Sequence, residues 1–229
     1  FDGDGDRVSF IDEKGLFAIP DKIIALMSKE ILTRKSKVFT NKVVYDIKCS
    51  RVVSETVKKF GGIPLMEKSG HTFIKRRLIQ ERAIFGGEIS GHFFFGELGR
   101  DDALFASLFC AQILLERKKS LSSMISFLPS YLITPDIRIR YEKKDRETLV
   151  DKVKLALKKE YPVEELDGIR VEFKEGWGLM RASVTEPLLT FRFEAKEKKD
   201  LQSILNRFIP HLPDEIKEKI KAKVQEKLV

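Results

Sequence analysis

Residues 42–66 read KVVYDIKCSRVVSETVKKFGGIPLM and indicate the fold class most clearly. The apolar run from Lys42 to Ile47 predicts a strand, and the helical spacing of valines from Arg51 to Phe60 predicts a helix that Gly61 ends. A second apolar run follows from Ile63 to Met66. Because a strand, a helix and another strand follow one another closely, this stretch favours a mostly parallel sheet covered by helices, with ligands bound at loops beyond the strand ends.

The same alternation continues on both sides of this stretch. Strands are predicted at Val8 to Ile11, Ala83 to Phe85 and His92 to Phe95, and helices at Asp21 to Leu32, Phe73 to Arg82 and Ala103 to Lys118. From Tyr131 to Tyr141 the chain becomes extended and contains proline, and the remainder mixes strands and helices differently. We therefore predict an α/β fold, with mixed sheets covered by helices, followed by a smaller α+β C-terminal domain.

Composition narrows the class of protein. The chain has 229 residues and a hydrophobic fraction of 42%, enough for buried cores. Its net charge of +8 and pI of about 9.3 raise the question of an anionic partner, for which nucleic acid and a small phosphorylated substrate are the two candidates. The longest apolar run, Ala103 to Leu115, is shorter than the roughly 20 residues that a membrane-spanning helix needs. Cys49 and Cys110 lie far apart and form no metal-binding cluster, which suits unpaired thiols in a reducing cytoplasm.

Residues 1–7 read FDGDGDR and place three carboxylates, Asp2, Asp4 and Asp6, at alternate positions between glycines. Such a loop can fold around one hard cation because glycine permits tight backbone angles. An EF-hand is a competing interpretation, but that motif needs glycine where Arg7 stands. A haloacid dehalogenase-like phosphatase motif is another, and an acidic surface turn is disfavoured because close carboxylates repel one another without a cation.

Three further segments carry polar groups near strand ends in the first part of the chain. Residues 86–92 read GGEISGH and place Glu88, Ser90 and His92 between glycines, a composition suited to binding sugar hydroxyls. Residues 68–71 read KSGH and end in His71, and Lys48 closes the strand that begins at Lys42. Each segment alone has an ordinary structural explanation, such as a glycine-rich turn or a surface lysine.

A fifth segment, residues 176–187, reads GWGLMRASVTEP. Arg181 suits a phosphate because guanidinium forms bidentate, charge-assisted hydrogen bonds, and Ser183 and Thr185 add hydroxyl groups beside it. An ordinary hairpin is the alternative for this segment taken by itself.

Together and in this order, the five segments resemble the α-D-phosphohexomutase family, in particular its phosphomannomutase/phosphoglucomutase branch. By that resemblance, residues 2–7 are the magnesium loop, residues 87–92 the sugar-binding loop and residues 181–185 the phosphate-binding loop. It implies that residues 1–36 end domain 2, residues 37–131 form the sugar-binding α/β domain 3, and residues 132–229 form the phosphate-binding α+β domain 4.

The resemblance also implies a reaction and its residues. The expected enzyme is an intramolecular phosphotransferase that interconverts hexose 1-phosphate and hexose 6-phosphate, of mannose or glucose, through a phosphoserine and a bisphosphate intermediate. Asp2, Asp4 and Asp6 would hold Mg²⁺. The implied catalytic residues are Arg7, Lys48, His71 and His92, and the implied substrate-binding residues are Glu88, Ser90, Arg181, Ser183 and Thr185.

Two departures from the family pattern qualify this expectation. Val184 stands where the phosphate loop of the family usually has Asn, and no Ser-His-Asn-Pro stretch or similar phosphoserine loop occurs in the sequence. The expectation is therefore a C-terminal portion of a cytoplasmic enzyme, inactive alone, whose partners are a hexose phosphate and the missing N-terminal domains, with no membrane or nucleic acid partner. A non-catalytic sugar-phosphate or nucleic-acid binding module and a metal-dependent phosphatase stay open as alternatives.

Overall fold

The computed structural model of the protein describes residues 1–34, 38–142, 145–183 and 186–227. Residues 225–227 are described by their backbone alone. The chain forms two compact units, Phe1–Ser130 and Tyr131–Val229. The boundary predicted between residues 36 and 37 lies outside the described residues. Across the part of the chain that is described, no helix is both long enough and apolar enough to cross a membrane.

The first unit contains a five-stranded sheet with helices and a separate two-stranded hairpin. Its elements are β1 (Phe10–Ile11), β2 (Phe17–Ala18), α1 (Pro20–Thr33), β3 (Thr40–Asp46), α2 (Arg51–Lys59), β4 (Ile63–Glu67), α3 (His71–Gln80), β5 (Ala83–Gly87), β6 (Phe93–Phe95), β7 (Arg100–Asp101), α4 (Ala103–Arg117) and α5 (Leu121–Ser126). The strand order is β4-β3-β5-β6-β7, in which β4, β3 and β5 are parallel and the last two strands run antiparallel. The sheet is mixed, as the sequence predicts.

The β3-α2-β4 crossover follows directly from residues 42–66. Val44 of β3 pairs with Leu65 of β4, and Val57 of α2 is fully buried, so this helix packs its apolar side inward. The Ser50 hydroxyl caps α2 by accepting a hydrogen bond from the Val52 backbone nitrogen at 3.1 Å. Because β3, β4 and β5 are parallel, their carboxyl ends meet at one edge of the sheet, where the polar loops begin.

The hairpin of β1 and β2 is tied to the start of α5. The Asp12 carboxylate closes the turn by accepting hydrogen bonds from the backbone nitrogens of Lys14 and Leu16, each at 2.9 Å. The Glu13 carboxylate accepts two hydrogen bonds, one from the Ser122 hydroxyl and one from the Ser122 backbone nitrogen. The hydrogen bond from the Ser122 side chain, followed by one from Ser120, lowers the pKa of Glu13 to about 2.

The second unit is an antiparallel sheet with helices over one face. Its elements are β8 (Leu132–Ile133), β9 (Ile137–Arg140), α6 (Arg146–Leu157), β10 (Val163–Glu164), β11 (Ile169–Glu172), β12 (Gly176–Ala182), β13 (Leu188–Ala195), α7 (Lys198–Phe208), a 3-10 turn (Ile209–His211) and α8 (Asp214–Lys227). The strand order is β10-β11-β12-β13-β8, and β9 also pairs with β13. One apolar core joins this sheet to α6, α7 and α8, which gives the predicted α+β domain.

Gly176-Trp177-Gly178 belong to a strand although glycine has a low strand propensity. These residues are the first part of β12, paired with β13. The reason is space: a Cβ at Gly176 would lie 1.9 Å from the Glu194 backbone oxygen, and one at Gly178 would lie 2.9 Å from the Phe208 ring. Glycine here lets the strand approach its neighbours closely.

Candidate active site

Three loops that carry predicted site residues leave the carboxyl edge of the parallel strands. Lys48 follows β3, His71 begins α3 after β4, and Glu88 follows β5 directly. Lys48 is half-buried, His71 is exposed and Glu88 is buried. The parallel topology thus places three of the predicted residues at one edge of the sheet.

The acidic loop brings its three carboxylates together. One ligand atom from each of Asp2, Asp4 and Asp6 lies within 4.8 Å of the others. Asp2 is the most engaged, because its Oδ1 accepts hydrogen bonds from the backbone nitrogens of Gly5 and Arg7, both at 3.2 Å, and its Oδ2 accepts one from Arg7 Nε at 2.5 Å. The hydrogen bond from the Arg7 side chain lowers the pKa of Asp2 to about 2.

Asp6 connects the acidic loop with the predicted sugar-binding loop. Its Oδ1 lies 3.8 Å from Arg7 Nε, and its Oδ2 lies 3.9 Å from His92 Nδ1. Oδ1 is also buried and makes no hydrogen bond within the described part of the chain. A carboxylate oxygen in this condition carries a desolvation cost that a bound cation would offset.

The two predicted histidines are neighbours. The rings of His71 and His92 are stacked, with their centroids 5.5 Å apart and their planes at 30°. His92 Nδ1 is 2.7 Å from Asp101 Oδ2, so this carboxylate fixes the orientation of the imidazole. We did not identify Asp101 from the sequence, because it lies on β7, a strand of two residues without a periodic signal.

Glu88 lies near a second buried carboxylate, that of Asp46, which the sequence analysis did not identify as a site residue. Burial raises the pKa of Glu88, and the charge of Asp46 raises it further, whereas the charge of Lys48 opposes the shift. Asp46 is fully buried at the end of β3, where its Oδ1 accepts hydrogen bonds from the Ser69 hydroxyl at 2.6 Å and the Lys48 nitrogen at 2.9 Å. The sequence signal for Asp46 is its position at the end of a predicted strand, two residues before Lys48.

A backbone contact holds the acidic loop against the sugar-binding loop. The Val8 nitrogen donates a hydrogen bond to the Gly91 oxygen at 3.1 Å. Gly91 has a φ of +98°, and a Cβ there would lie 2.8 Å from the Val8 oxygen, so both its conformation and its surroundings require glycine. The two loops, which are separated by about 80 residues of sequence, therefore form one polar cluster.

The predicted phosphate segment belongs to the second unit. Arg181 lies near the end of β12 and its Nη1 is 3.0 Å from Asp167 Oδ2, an ion pair that the sequence did not indicate. The Ser183 hydroxyl accepts a hydrogen bond from the Glu186 nitrogen at 3.2 Å. Thr185 and Val184 lie outside the described residues.

Two models of one protein family match the chain. The model described as phosphoglucomutase/phosphomannomutase, alpha/beta/alpha domain III, matches residues 19–131. The model described as the C-terminal domain of phosphoglucomutase/phosphomannomutase matches residues 136–211. The two matches follow one another without overlap and between them account for most of the sequence.

Individual relatives agree with these models. The chain is 34% identical over 211 residues to a phosphomannomutase/phosphoglucomutase of Pseudomonas aeruginosa, covering 91% of this chain and 45% of that protein. A crystal structure of a phosphoglucomutase/phosphomannomutase family protein from Burkholderia thailandensis superposes with a TM-score of 0.81 at 34% identity, covering 93% of this chain and 45% of that one.

A more distant structure shares the fold. It is an Aspergillus fumigatus N-acetylphosphoglucosamine mutase in complex with GlcNAc-6P and magnesium, with a TM-score of 0.65, 14% identity, and coverage of 95% of this chain and 48% of that one. The chain thus spans about half the length of the proteins it matches. With two family models in order and relatives at 34% identity, the chain belongs to the phosphoglucomutase/phosphomannomutase family.

Proposed function

We propose that this chain supplies the metal-binding and substrate-binding half of a phosphohexomutase that interconverts hexose 1-phosphate and hexose 6-phosphate, with mannose or glucose as the sugar. The observation that carries the proposal is the position of Asp6, whose carboxylate oxygens lie within 4 Å of both Arg7 and His92. A group that can bind a cation therefore adjoins a group that can move a proton. Phosphoryl transfer to or from a sugar hydroxyl needs both.

The donor set of the acidic loop fits Mg²⁺. Asp2, Asp4 and Asp6 offer clustered carboxylate oxygens, which are the hard ligands that Mg²⁺ prefers, and Asp6 Oδ1 is a buried oxygen without a hydrogen bond in the described structure. The A. fumigatus mutase structure that shares this fold is a complex with magnesium. When bound, the ion would supply positive charge that neutralises the oxygens of a phosphoryl group in transfer.

The protein side chains would act on the sugar. His92, oriented by Asp101, can exchange a proton with a sugar hydroxyl, and His71 stacks on its ring. Glu88 and Ser90 would bind neighbouring sugar hydroxyls, and Arg7 and Lys48 would add positive charge near the reacting groups. In the second unit, Arg181, Ser183 and Thr185 would bind the phosphate that is not transferred.

Calorimetric titration with MgCl₂ tests the metal site. We expect Asp6→Asn to weaken Mg²⁺ binding at least about tenfold, because it removes one anionic ligand from a small cluster. Glu97→Gln, a charge-matched change at an exposed position, serves as the control and should leave the affinity unchanged. Equal Mg²⁺ affinity in Asp6→Asn and the unchanged protein would contradict the assignment.

Phosphorus NMR separates the proposed mutase from its alternatives. The mutase, assayed as the product of the complete reading frame with Mg²⁺, converts glucose 1-phosphate or mannose 1-phosphate to the 6-phosphate. A metal-dependent phosphatase releases inorganic phosphate instead. A non-catalytic binding module shifts the phosphorus signal without product and keeps doing so after Asp2, Asp4 and Asp6 are replaced by Ala.

We propose a cytoplasmic location for the enzyme, where the two free thiols would stay reduced.

A further inference from the structure

The sheet of the second unit has a face that does not carry the apolar core. Side chains alternate along each strand, and those of Met180, Phe191 and Ile137 belong to the core shared with the helices. Their strand neighbours Arg181 and Arg138 therefore point to the opposite face. This face, which we call the arginine face, contains Arg138, Arg140, Arg170, Arg181 and Arg192.

Three residues of the arginine face lie in one row across neighbouring strands. Arg181 of β12 pairs with Thr190 of β13, and Thr190 pairs in turn with Arg138 of β9. Adjacent strands are about 4.8 Å apart, so the Cα atoms of the two arginines are separated by about 10 Å, with the threonine between them. Two arginine side chains are long enough to reach one phosphate group from opposite sides at this separation.

The other arginines of this face already have partners. Arg170 pairs with Glu172 at 2.8 Å and stacks on Trp177 at 4.0 Å from the ring centroid. Arg192 lies 3.6 Å from Asp136, and Arg140 forms an ion pair with Glu142. Each of these three arginines thus has an acidic partner among the described residues.

Arg138 differs from these arginines. Its side chain is exposed, and no carboxylate among the described residues lies within ion-pair distance of it. Arg181 is bound to Asp167 through Nη1, which leaves the other edge of its guanidinium for a ligand. Arg138 therefore adds to the row a positive charge that no ion pair among the described residues neutralises.

We propose that Arg138 is a second phosphate-binding residue, which acts with Arg181 across Thr190 on a phosphate monoester of the substrate. This inference rests on the proposed function of Arg181. Two guanidinium groups facing one dianion give charge-assisted hydrogen bonds from both sides, which a neutral sugar cannot use. Arg138 would thereby favour phosphorylated sugars over free sugars at this site.

The proposal is tested by titrating the full chain with glucose 6-phosphate at fixed ionic strength and measuring the dissociation constant by phosphorus NMR. We expect Arg138→Ala to raise the dissociation constant about tenfold, as for the loss of a charged hydrogen bond, and Arg138→Lys to recover part of the loss. Arg140→Ala is the matched control, because Arg140 lies on the same strand and face but is paired with Glu142. It should change the affinity less than twofold.

The outcomes distinguish this inference from the function on which it rests. If Arg181→Ala weakens binding while Arg138→Ala behaves like Arg140→Ala, the role of Arg138 is wrong and the proposed phosphate site stands. If Arg181→Ala leaves the affinity for glucose 6-phosphate unchanged, the assignment of the phosphate site is wrong, and so is the role proposed for Arg138. Thermal melting of each variant identifies any loss of affinity that arises from unfolding, and Arg138→Gln then replaces the alanine variant.

Discussion

At the scale of single residues, the candidate site is distinguished by carboxylates in unequal environments. Asp2 is held ionised by the Arg7 side chain, which lowers the pKa of Asp2 to about 2. Glu88 is buried, and burial raises its pKa, with a further contribution from Asp46. The lowered pKa keeps Asp2 of the acidic loop negatively charged, which favours cation binding. The raised pKa favours the protonated form of Glu88, which can both donate and accept hydrogen bonds with neutral hydroxyl groups.

The raised pKa of Glu88 predicts how stability depends on pH. The folded state binds the Glu88 proton more tightly than the unfolded state, so ionisation of this carboxyl reduces stability as the pH rises above the ordinary glutamate range. Glu88→Gln should therefore have a higher melting temperature than the unchanged protein at pH 7.5. The difference should shrink as the pH is lowered toward the ordinary pKa of glutamate.

Thermal melts at pH 7.5, 6 and 5 measure this effect. Glu97→Gln, at an exposed position, controls for the loss of one negative charge and should show no such trend. A lower melting temperature for Glu88→Gln at pH 7.5 would mean that the ionised carboxylate is stabilised by partners rather than penalised by burial.

At the scale of elements, two loops from distant parts of the sequence depend on one glycine. Gly91 accepts the hydrogen bond from Val8 and has a φ of +98°. A side chain at this position meets both a strained backbone conformation and the Val8 oxygen at 2.8 Å. The contact between the acidic loop and the sugar-binding loop therefore tolerates no larger residue without movement.

Gly91→Ala should lower the free energy of unfolding by about 1–3 kcal/mol, the usual range for a strained backbone position. Urea denaturation of the metal-free protein measures it. Gly3→Ala is the matched control, because a Cβ at Gly3 meets nothing within 4 Å and its φ is not positive, so its cost should be small. Similar costs for the two variants would show that the loop contact is not tightly packed.

The long elements could be predicted from the sequence, and several short ones could not. β3, α2 and β4 have clear apolar periods, and the observed bounds differ from the predicted ones by at most two residues. Strands of two residues, such as β2, β7 and β10, have no period to detect and exist because a neighbouring strand pairs with them. Asp101 was missed for this reason.

At the scale of the whole molecule, the chain consists of two units, each with its own buried residues. The core of the second unit is drawn from strands β9 and β11–β13 and helices α6, α7 and α8, all between residues 137 and 224. A core that is complete within one unit supports independent folding.

Residues 131–229, produced alone, should therefore fold cooperatively, with an unfolding enthalpy on the order of 60–80 kcal/mol near 60 °C, as expected for about 100 residues. Differential scanning calorimetry and dispersed amide NMR signals measure it. The same segment carrying Phe191→Ala, which removes a fully buried ring, is the comparison and should melt at a clearly lower temperature. A gradual transition without a calorimetric peak would show that the core of this unit needs residues of the first.

Local patterns in the sequence were enough to predict the order of the long elements, the fold class and the five polar segments, because periodicity, glycine spacing and side-chain chemistry are local properties. Folding alone brings distant groups near one another: Asp6 near His92, His92 near Asp101, Asp46 near Glu88, and Arg181 near Asp167. These contacts depend on strand register and on close backbone approach at Gly91. Neither property is written in any short stretch of residues, because both arise only when the sheet assembles.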